Sequence, residues 1–223
     1  MNHATSRGRE IMNLLILGAT GETGRVIGAQ ALEQGHRVTA FARNPDAIKT
    51  KRKNLTVVQG DILDYASVER AVKGQDAVLS ALGTKALRKN TTISDGTRNI
   101  ITAMEKFGVK RLVFQSSISI GDSKPQQRQF GLIYRVIVFP LLLRNMFQDK
   151  GIQERYIRQS TLDWVIVRPA ALTNGPRTGV YRSEFSATDK SIKAKISRAD
   201  VADFMLKQLA DDTYVHKTPS LSY

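Results

Sequence analysis

The sequence predicts an α/β fold, with a doubly wound, mostly parallel sheet in a single domain. The first observation is an apolar run, Leu14 to Leu17, that stops at three closely spaced glycines and is followed at once by a helix-forming segment. The second is the alternation of short apolar runs with helical segments, which is typical of a parallel sheet covered on both faces. The third is the length of 223 residues, which suits one such domain.

Short and mostly apolar runs along the chain are predicted as strands. In order they are residues 13–17, 37–41, 55–59, 76–81, 111–115, 164–167, 193–196 and 220–222. Their continuous apolar character indicates strands that are buried on both faces, so a parallel sheet is expected. After Pro169 the alternation becomes less regular.

The segments between these strands are predicted as helices. In order they are residues 22–34, a short helix opened by Pro45, 65–73, 93–107, 151–159 and 199–209. A proline at the start suits the first helical turn. Gly74 and Gly108 lie where a helix commonly ends in a glycine.

Two segments lie outside this alternation. Residues 1–11 are polar and lack the apolar stretch of a secretory signal, so they are expected to form a tail before a domain that spans residues 12–223. Residues 130–143 are apolar but shorter than the ~20 residues of a membrane span. They are interpreted as a buried or pocket-covering segment, with a dimer contact or a membrane-surface patch as the alternative. No transmembrane segment is predicted.

Composition excludes several classes of site. The chain has no cysteine, so disulfides, zinc–thiolate sites and thiol nucleophiles are excluded. The histidines, His3, His36 and His216, are far apart in sequence, and no metal site is predicted. The absence of cysteine is compatible with a reducing compartment, and a cytoplasmic location is expected.

The net charge of +14, from 34 basic and 20 acidic residues, is high for an enzyme. The centre of the chain, residues 85–160, is its most basic part. A solvated basic surface is the simplest interpretation, and an anionic substrate, an anionic membrane or nucleic acid are the alternatives. Nucleic acid is disfavoured because the sequence carries no RNA-binding signature, zinc finger or arginine-rich tract.

The glycines after the first strand predict a site for the pyrophosphate of a dinucleotide. Gly18 permits the tight turn, Gly21 lets a phosphate approach the backbone, and Gly24 lets the helix pack close to the strand. The helix then presents free N–H groups and a positive dipole end to the anion. The residues assigned to this site are Gly18, Thr20, Gly21, Glu22, Thr23 and Gly24. The alternative is a purely structural glycine turn.

The residue that follows the second strand indicates which dinucleotide is bound. In enzymes that use NAD, an acidic residue at this position binds the ribose hydroxyls. Here no acid lies between Glu33 and Asp46, and Arg43 takes the position. A guanidinium suits a 2′-phosphate, so NADP(H) is the predicted cofactor. The alternative is an ordinary surface arginine.

Residues after the third and fourth strands are also assigned to the cofactor, because ligands of open parallel sheets collect at the carboxyl ends of the strands. Asp61 is expected to accept a hydrogen bond from the adenine amino group, with an N-cap or turn role as the alternative. Gly83 allows the cofactor to pass close to the backbone. The assigned residues are Asp61, Ile62, Ala81, Leu82 and Gly83.

Several short motifs follow one another at the spacing of a known family. They are GATGETG at 18–24, Arg43, GD at 60–61, QDAV at 75–78, SS at 116–117, RP at 168–169 and SRADVA at 197–202. On these motifs the chain resembles the atypical short-chain dehydrogenases that bind NAD(P). Within them it is most similar to the biliverdin IXβ reductase/flavin reductase group and its NmrA-like relatives. The resemblance covers residues 12–223, and its back half suggests the subgroup.

This resemblance implies a Rossmann fold and NADPH-dependent reduction of flavins, linear tetrapyrroles or quinones. It places the nicotinamide near the ends of the fourth to sixth strands, beside Ser116, Ser117, Arg168 and Pro169, with the substrate pocket built from the C-terminal part of the domain. Lys150 matches the lysine of the superfamily's Tyr-x-x-x-Lys pair, which implies that it holds the nicotinamide ribose.

Two departures from the family pattern bear on the chemistry. Met146 occupies the tyrosine position, where a thioether cannot donate a proton, and Ala171 replaces a histidine of the flavin and biliverdin reductases. The second departure counts against a biliverdin-specific activity. Ketone reduction normally uses a positioned acid worth about 10²–10⁴ in rate, whereas flavins, quinones and tetrapyrroles spread the incoming charge over a conjugated system. A conjugated acceptor, anionic in view of the basic centre of the chain, is therefore predicted.

Ser117 and Lys150 are the candidate catalytic residues. Ser117 is expected to polarise or orient the acceptor; the alternative roles are a backbone-bonded serine at a strand end for Ser117 and a helix-surface charge for Lys150. Phe130, Tyr134 and Phe147 are candidates to flank the acceptor, with a core role as the alternative. The predicted function is an NADPH-dependent reductase, monomeric or homodimeric, and the alternative is a non-catalytic NADP-binding sensor or assembly factor.

Overall fold

Strands and helices alternate along the part of the chain that the computed structural model describes, residues 10–83, 91–118, 120, 144–185, 189 and 191–223, with the backbone alone for 144–147. The strands are β1 (Asn13–Leu17), β2 (Arg37–Ala42), β3 (Leu55–Gln59), β4 (Ala77–Ser80), β5 (Arg111–Gln115), β6 (Asp163–Pro169), β7 (Ala171–Thr173), β8 (Arg182–Ser183), β9 (Lys195–Ser197) and β10 (Ser220–Ser222). The helices are α1 (Glu22–Glu33), α2 (Tyr65–Val72), α3 (Thr92–Phe107), α4 (Arg144–Gln159) and α5 (Arg198–Lys207), with a short 3₁₀ helix at Pro45–Ala47.

Within these residues the strands form one large sheet in the order β3-β2-β1-β4-β5-β6-β10-β8. Neighbouring strands pair in parallel except β8, which is antiparallel to β10. The chain steps outward from β1 to β3, returns to β4 beside β1, and then continues in the other direction. Ligands of doubly wound sheets bind at this reversal, outside the carboxyl ends of the strands. The predicted doubly wound, mostly parallel sheet is confirmed, and β7 and β9 pair separately.

Helices cover both faces of the sheet, so each central strand contributes to two cores. Leu15 and Leu17 pack with residues of α2, α3 and α4, and Leu14 and Ile16 pack with residues of α1 and α5. This arrangement explains why the central strands are apolar at successive positions and not at alternate ones. In β4 and β5 the buried polar side chain lies at the carboxyl end, Ser80 in β4 and Gln115 in β5. Those ends are the edge at which the candidate site lies.

Two parts of the chain differ from the predicted elements. Helix α4 begins at Arg144 and not at Gly151, so the predicted start is wrong. Glycine is tolerated inside a helix that tertiary packing holds, and a Cβ on Gly151 would meet Ile120 only at 4.0 Å. Strands β7 and β8 are too short to give an apolar pattern. Residues 130–143 lie outside the described residues, and no described helix is both long enough and apolar enough to cross a membrane.

Strand β3 forms one edge of the sheet and is thinly covered. The connection between β2 and β3 contains the 3₁₀ helix but no α-helix. As a result Val57, in the middle of β3, is 36% exposed. The strand is preceded by the exposed basic run KTKRK at residues 49–53. The edge of the sheet therefore combines an open strand with a concentration of positive charge.

Candidate functional site

The turn between β1 and α1 has the tight geometry that its glycines predict. Gly18 has φ +78°, in the left-handed region that favours glycine. A Cβ on Gly18 would lie 2.6 Å from the carbonyl oxygen of Ala81, the residue after β4. The two segments are bonded to each other, since the Ala81 N–H donates to the Leu17 carbonyl at 2.9 Å. Both the backbone conformation and the space therefore require glycine at position 18.

Gly24 lies against the backbone of the turn that ends β1. A Cβ on Gly24 would lie 2.1 Å from the carbonyl oxygen of Gly18, where the two atoms would overlap. The start of α1 thus packs closely on the turn that directly follows β1, and one turn later the helix lies against Ile16 of the strand itself. Gly21 donates its N–H to the same Gly18 carbonyl at 2.9 Å. The three glycines meet around one backbone oxygen.

The first turn of α1 has no side chain that caps it. Gly21 is the N-cap residue and makes no side-chain hydrogen bond, whereas Asp64 caps α2 and Ser197 caps α5 by accepting backbone N–H groups. The first N–H groups of α1 are therefore available to an anion, and the helix dipole adds to the attraction. Thr20 is half-buried and Thr23 is buried beside the exposed Gly21. The corner fits the pyrophosphate of a dinucleotide.

Arg43 directly follows β2, which pairs with β1, so it lies at the same edge of the sheet as the glycine turn. Its side chain is exposed, and no ion pair joins it to an acid among the described residues. The next residue, Asn44, caps the 3₁₀ helix by accepting the Asp46 N–H at 3.1 Å. The guanidinium is therefore free to meet a phosphate on the adenosine side of the turn.

The residues assigned to the cofactor after β3 and β4 differ in their burial and in their contacts. One carboxylate oxygen of Asp61 accepts the Leu63 N–H at 2.9 Å, so the turn role given as its alternative is present in the structure. Ile62 is buried. Ala81 and Leu82 are half-buried against the glycine turn, while a Cβ on Gly83 would meet no atom of another described residue within 4 Å. The assignment of these residues to the cofactor stays a prediction.

A buried ion pair lies beneath the ends of β5 and β6. The Arg168 guanidinium, 2% exposed, donates to both carboxylate oxygens of Glu154, from Nε at 3.1 Å and from Nη2 at 2.5 Å. The Ser116 hydroxyl donates to the same carboxylate at 2.6 Å. Parallel pairing places Gln115 beside Val167, so the two strand ends are neighbours. This carboxylate joins α4 to β5 and β6, and it fixes two of the predicted site residues, Ser116 and Arg168.

Lys150 lies one turn before Glu154 on α4 and is also buried. Its Nζ donates to the Gln115 carbonyl at 3.3 Å and lies 5.8 Å from the centre of the Phe114 ring. Burial lowers the pKa of Lys150 to about 8, although Glu154 and Asp149 act in the opposite direction. The alternative of a helix-surface charge is therefore wrong. Lys150 is held at the end of β5, where the resemblance places the nicotinamide.

Ser117 follows Ser116 and is half-buried. Its side chain makes no hydrogen bond to another described residue, so a backbone-bonded role has no support. Pro169 ends β6, and Ala171 begins β7 with an exposed side chain. Phe130 and Tyr134, and the side chains of Met146 and Phe147, lie outside the description. The predicted roles of Ser117 and Pro169 stay predictions.

The sequence reasoning missed Glu154. Two signals point to it: an arginine inside the apolar strand DWVIVRP needs a carboxylate partner, and Glu154 lies four residues after Lys150 on the same helix face. Among the described residues, no group of three or more histidine, aspartate or glutamate side chains is placed to hold a metal ion. Of the buried charges of this region, Arg168 and Glu154 pair with each other, while Lys150 donates to a backbone carbonyl.

Comparison with known proteins bears directly on the function of the glycine turn between β1 and α1. The chain matches a family model described as NAD(P)H-binding over residues 18–212. It is 28% identical over 218 residues to the photosystem II assembly factor Ycf39 of Synechocystis sp., a match that covers 93% of this chain but 61% of that protein. It is 31% identical over 211 residues to an uncharacterised chloroplastic protein of Arabidopsis thaliana, covering 89% of this chain and 72% of that protein.

Among solved structures, the fold is similar to that of ChuY, described as an anaerobilin reductase of Escherichia coli. The TM-score is 0.76 at 24% identity, and the match covers 94% of this chain and 96% of the other. At that identity the likeness bears on the fold alone, and it agrees with the predicted Rossmann architecture. The family match begins at Gly18 and continues through Arg43, Lys150 and Arg168. The chain therefore belongs to the NAD(P)H-binding family.

Proposed function

We propose that the protein is an NADPH-dependent oxidoreductase that transfers a hydride to a conjugated acceptor, such as a flavin, a bilin or a quinone. The observation that carries the proposal is the uncapped, glycine-lined start of α1 in a chain of the NAD(P)H-binding family. Arg43, which has no acidic partner in the part of the chain that the structure describes, favours a nucleotide with a 2′-phosphate. A linear tetrapyrrole is included among the proposed acceptors because a protein of the same fold is described as an anaerobilin reductase.

The chain's own groups bind and orient the reactants. The N–H groups of α1 hold the pyrophosphate, and Arg43 pairs with the 2′-phosphate. Lys150 is charged below a pH of about 8, where its ammonium donates to a ribose hydroxyl. Ser117 orients the acceptor at the end of β5. NADPH, when bound, supplies the hydride, and the protein's main contribution is to hold the two ring systems together.

The absence of a phenol next to Lys150 favours the conjugated class of acceptor. Position 146 is methionine, so the first turn of α4 offers no acid four residues before the lysine. An alkoxide formed from a simple ketone would need such an acid. A conjugated acceptor spreads the charge over its ring system and takes its proton from water. Simple aldehydes and ketones are therefore expected to be poor substrates.

The test is a panel of acceptors assayed with NADPH and with NADH side by side. Loss of NADPH absorbance is expected with at least one flavin, quinone or bilin, at a higher kcat/KM than with NADH, and not with simple ketones. Wild-type protein without acceptor is the control for slow oxidation by oxygen. If no acceptor is reduced although NADP⁺ binds in calorimetry, the reductase proposal is wrong.

A second candidate is a non-catalytic NADP-binding sensor or assembly factor. The similarity to Ycf39, named as an assembly factor, favours it, as does the methionine at position 146. This function predicts tight nucleotide binding without turnover. It also predicts a protein partner whose capture depends on bound NADP(H). Measurable reductase turnover would favour the first candidate over the second.

Arg43→Ala is expected to weaken binding of NADP⁺ roughly tenfold to a hundredfold, because a charge-assisted hydrogen bond contributes about 1.5–3 kcal/mol. Binding of NAD⁺, which lacks the 2′-phosphate, should change little. Calorimetric titration with both nucleotides measures the difference. The matched control is Arg70→Ala, which removes an exposed arginine from the last turn of α2. Equal losses for NADP⁺ and NAD⁺ would contradict the assignment of Arg43.

A further inference from the structure

The first residue of α1 carries a negative charge at the proposed pyrophosphate site. Glu22 follows Gly21, and its side chain is 68% exposed. A carboxylate in the first turn interacts favourably with the helix dipole. It also repels a bound pyrophosphate, because two like charges at this distance raise the free energy of binding. A dianion can bind well here only if the charge of Glu22 is offset.

Arg198 supplies the opposite charge from the other half of the chain. Its Nη2 lies 2.6 Å from Oε2 of Glu22, and its side chain is 19% exposed. Its Nη1 donates to Oδ1 of Asn174 at 2.7 Å. The guanidinium is therefore held from two sides, by the carboxylate at the glycine turn and by the amide of the segment that follows β7. An ion pair fixed in this way loses less side-chain entropy than a free surface pair.

The backbone that carries Arg198 is itself firmly anchored. Arg198 is the first residue of α5, whose N-cap is Ser197. The buried Asp200 accepts hydrogen bonds from the Ser197 hydroxyl at 3.1 Å and the Tyr223 hydroxyl at 2.6 Å. Burial acts to raise the pKa of Asp200, but hydrogen bonds from the Tyr223 hydroxyl and from Thr178 and Gly179 lower it below its usual value, so the carboxylate stays charged. The start of α5 is a rigid support for the arginine.

Helix α5 is also bonded directly to α1. The side chain of Gln30 donates to the Ala199 carbonyl at 2.9 Å. The other arginine near the turn, Arg25, points elsewhere, since its Nη2 lies 3.5 Å from the Ala47 carbonyl. Among the described residues, Arg198 is the cation whose ion pair with Glu22 is seen.

We propose that Arg198 is a positioning residue for the dinucleotide, which neutralises Glu22 so that the start of α1 keeps a positive potential toward the pyrophosphate. The inference rests on the proposed binding of NADP(H). With the ion pair in place, the helix presents a partial charge of roughly +0.5. Without Arg198 the full negative charge of Glu22 outweighs it. The arginine thus acts on the phosphates through Glu22 and not by touching them.

The test is a double-mutant cycle on nucleotide affinity. Arg198→Gln is expected to weaken NADP⁺ binding roughly tenfold at low salt, because it leaves the Glu22 carboxylate uncompensated beside the phosphates. Glu22→Gln should bind as tightly as wild type or tighter. The double variant should regain most of the affinity that Arg198→Gln loses, and Arg198→Lys should stay close to wild type. Calorimetric titration gives the four affinities, and the loss should shrink at high salt.

Two controls separate this charge effect from a folding effect. Thermal unfolding of each variant without nucleotide reports the structural part of the change, and Arg70→Gln controls for the loss of one positive charge. A double variant as weak as Arg198→Gln would overturn the proposal, because the arginine would then contact the phosphates or hold the fold. So would unchanged affinity in Arg198→Gln, or a wild-type protein that binds no NADP⁺. Binding with the expected cycle but without turnover would reject the reductase function and leave this inference intact.

Discussion

Gly24→Ala is expected to abolish measurable NADP⁺ binding and to lower the free energy of unfolding by about 3 kcal/mol, the upper part of the usual range for overpacking. The new Cβ would lie 2.1 Å from the Gly18 carbonyl oxygen. That oxygen belongs to the backbone, so no side chain can rotate to relieve the overlap. The start of α1 must move away from the turn, and its N–H groups then no longer point toward the bound pyrophosphate. Denaturant unfolding and calorimetric titration measure the two effects.

Gly28→Ala is the matched control for this substitution. Gly28 lies one turn later on the same helix, and a Cβ there would meet Ile16 Cδ1 at 3.6 Å, an ordinary contact. Alanine in a helix interior is favoured over glycine by about 0.8–1 kcal/mol, so stability should rise slightly and nucleotide binding should persist. If Gly24→Ala behaved like Gly28→Ala, the packing of the helix on the turn would not matter for the site.

Glu154→Gln is expected to destabilise the protein by about 3–5 kcal/mol, because it removes the carboxylate that compensates a buried guanidinium. Arg168 is 2% exposed and receives two of its hydrogen-bond acceptors from Glu154. The negative charge that Glu154 places against the buried guanidinium is then lost, and the Ser116 hydroxyl loses a charged acceptor. Chemical denaturation followed by circular dichroism gives the change in unfolding free energy.

Two further variants test whether the loss of stability comes from the buried charge. Glu69→Gln removes one partner of the exposed pair with Lys106 and should leave stability almost unchanged, since surface ion pairs are screened by water. Replacing both buried partners, Glu154→Leu together with Arg168→Met, should recover most of the loss, because neither charge of this pair is then left in the core. A single Glu154→Gln variant as stable as wild type would show that Arg168 is solvated after all.

The sequence predicts the front half of the fold well because its signals are local. The apolar run before Gly18, and the left-handed glycines Gly74 and Gly108 after α2 and α3, each fix a boundary through the conformation of one residue. The same holds for the glycine turn, where spacing alone implies the strand, the turn and the helix. Position 43 could be recognised because it lies just beyond the end of the predicted second strand.

The rest of the site depends on contacts between distant parts of the chain. Glu154 and Arg168 lie on different elements, and their pairing is set by how α4 packs on the sheet. Glu22 and Arg198 come from opposite halves of the chain and meet only because α1 and α5 lie side by side. The contact that excludes a Cβ at Gly24 is with a carbonyl oxygen, which no residue pattern reveals. Helix α4 begins before its glycine for a similar reason, since packing outweighs local propensity.

The exposed edge strand β3 has a consequence for the behaviour of the protein at high concentration. An uncovered edge strand offers a row of backbone donors and acceptors on which the same strand of another copy can grow an extended sheet. The run KTKRK at residues 49–53 brings like charges together whenever two such edges approach. Part of the large positive charge is therefore expected to oppose self-association by electrostatic repulsion between copies. Because salt screens this repulsion, colloidal stability should fall with rising ionic strength.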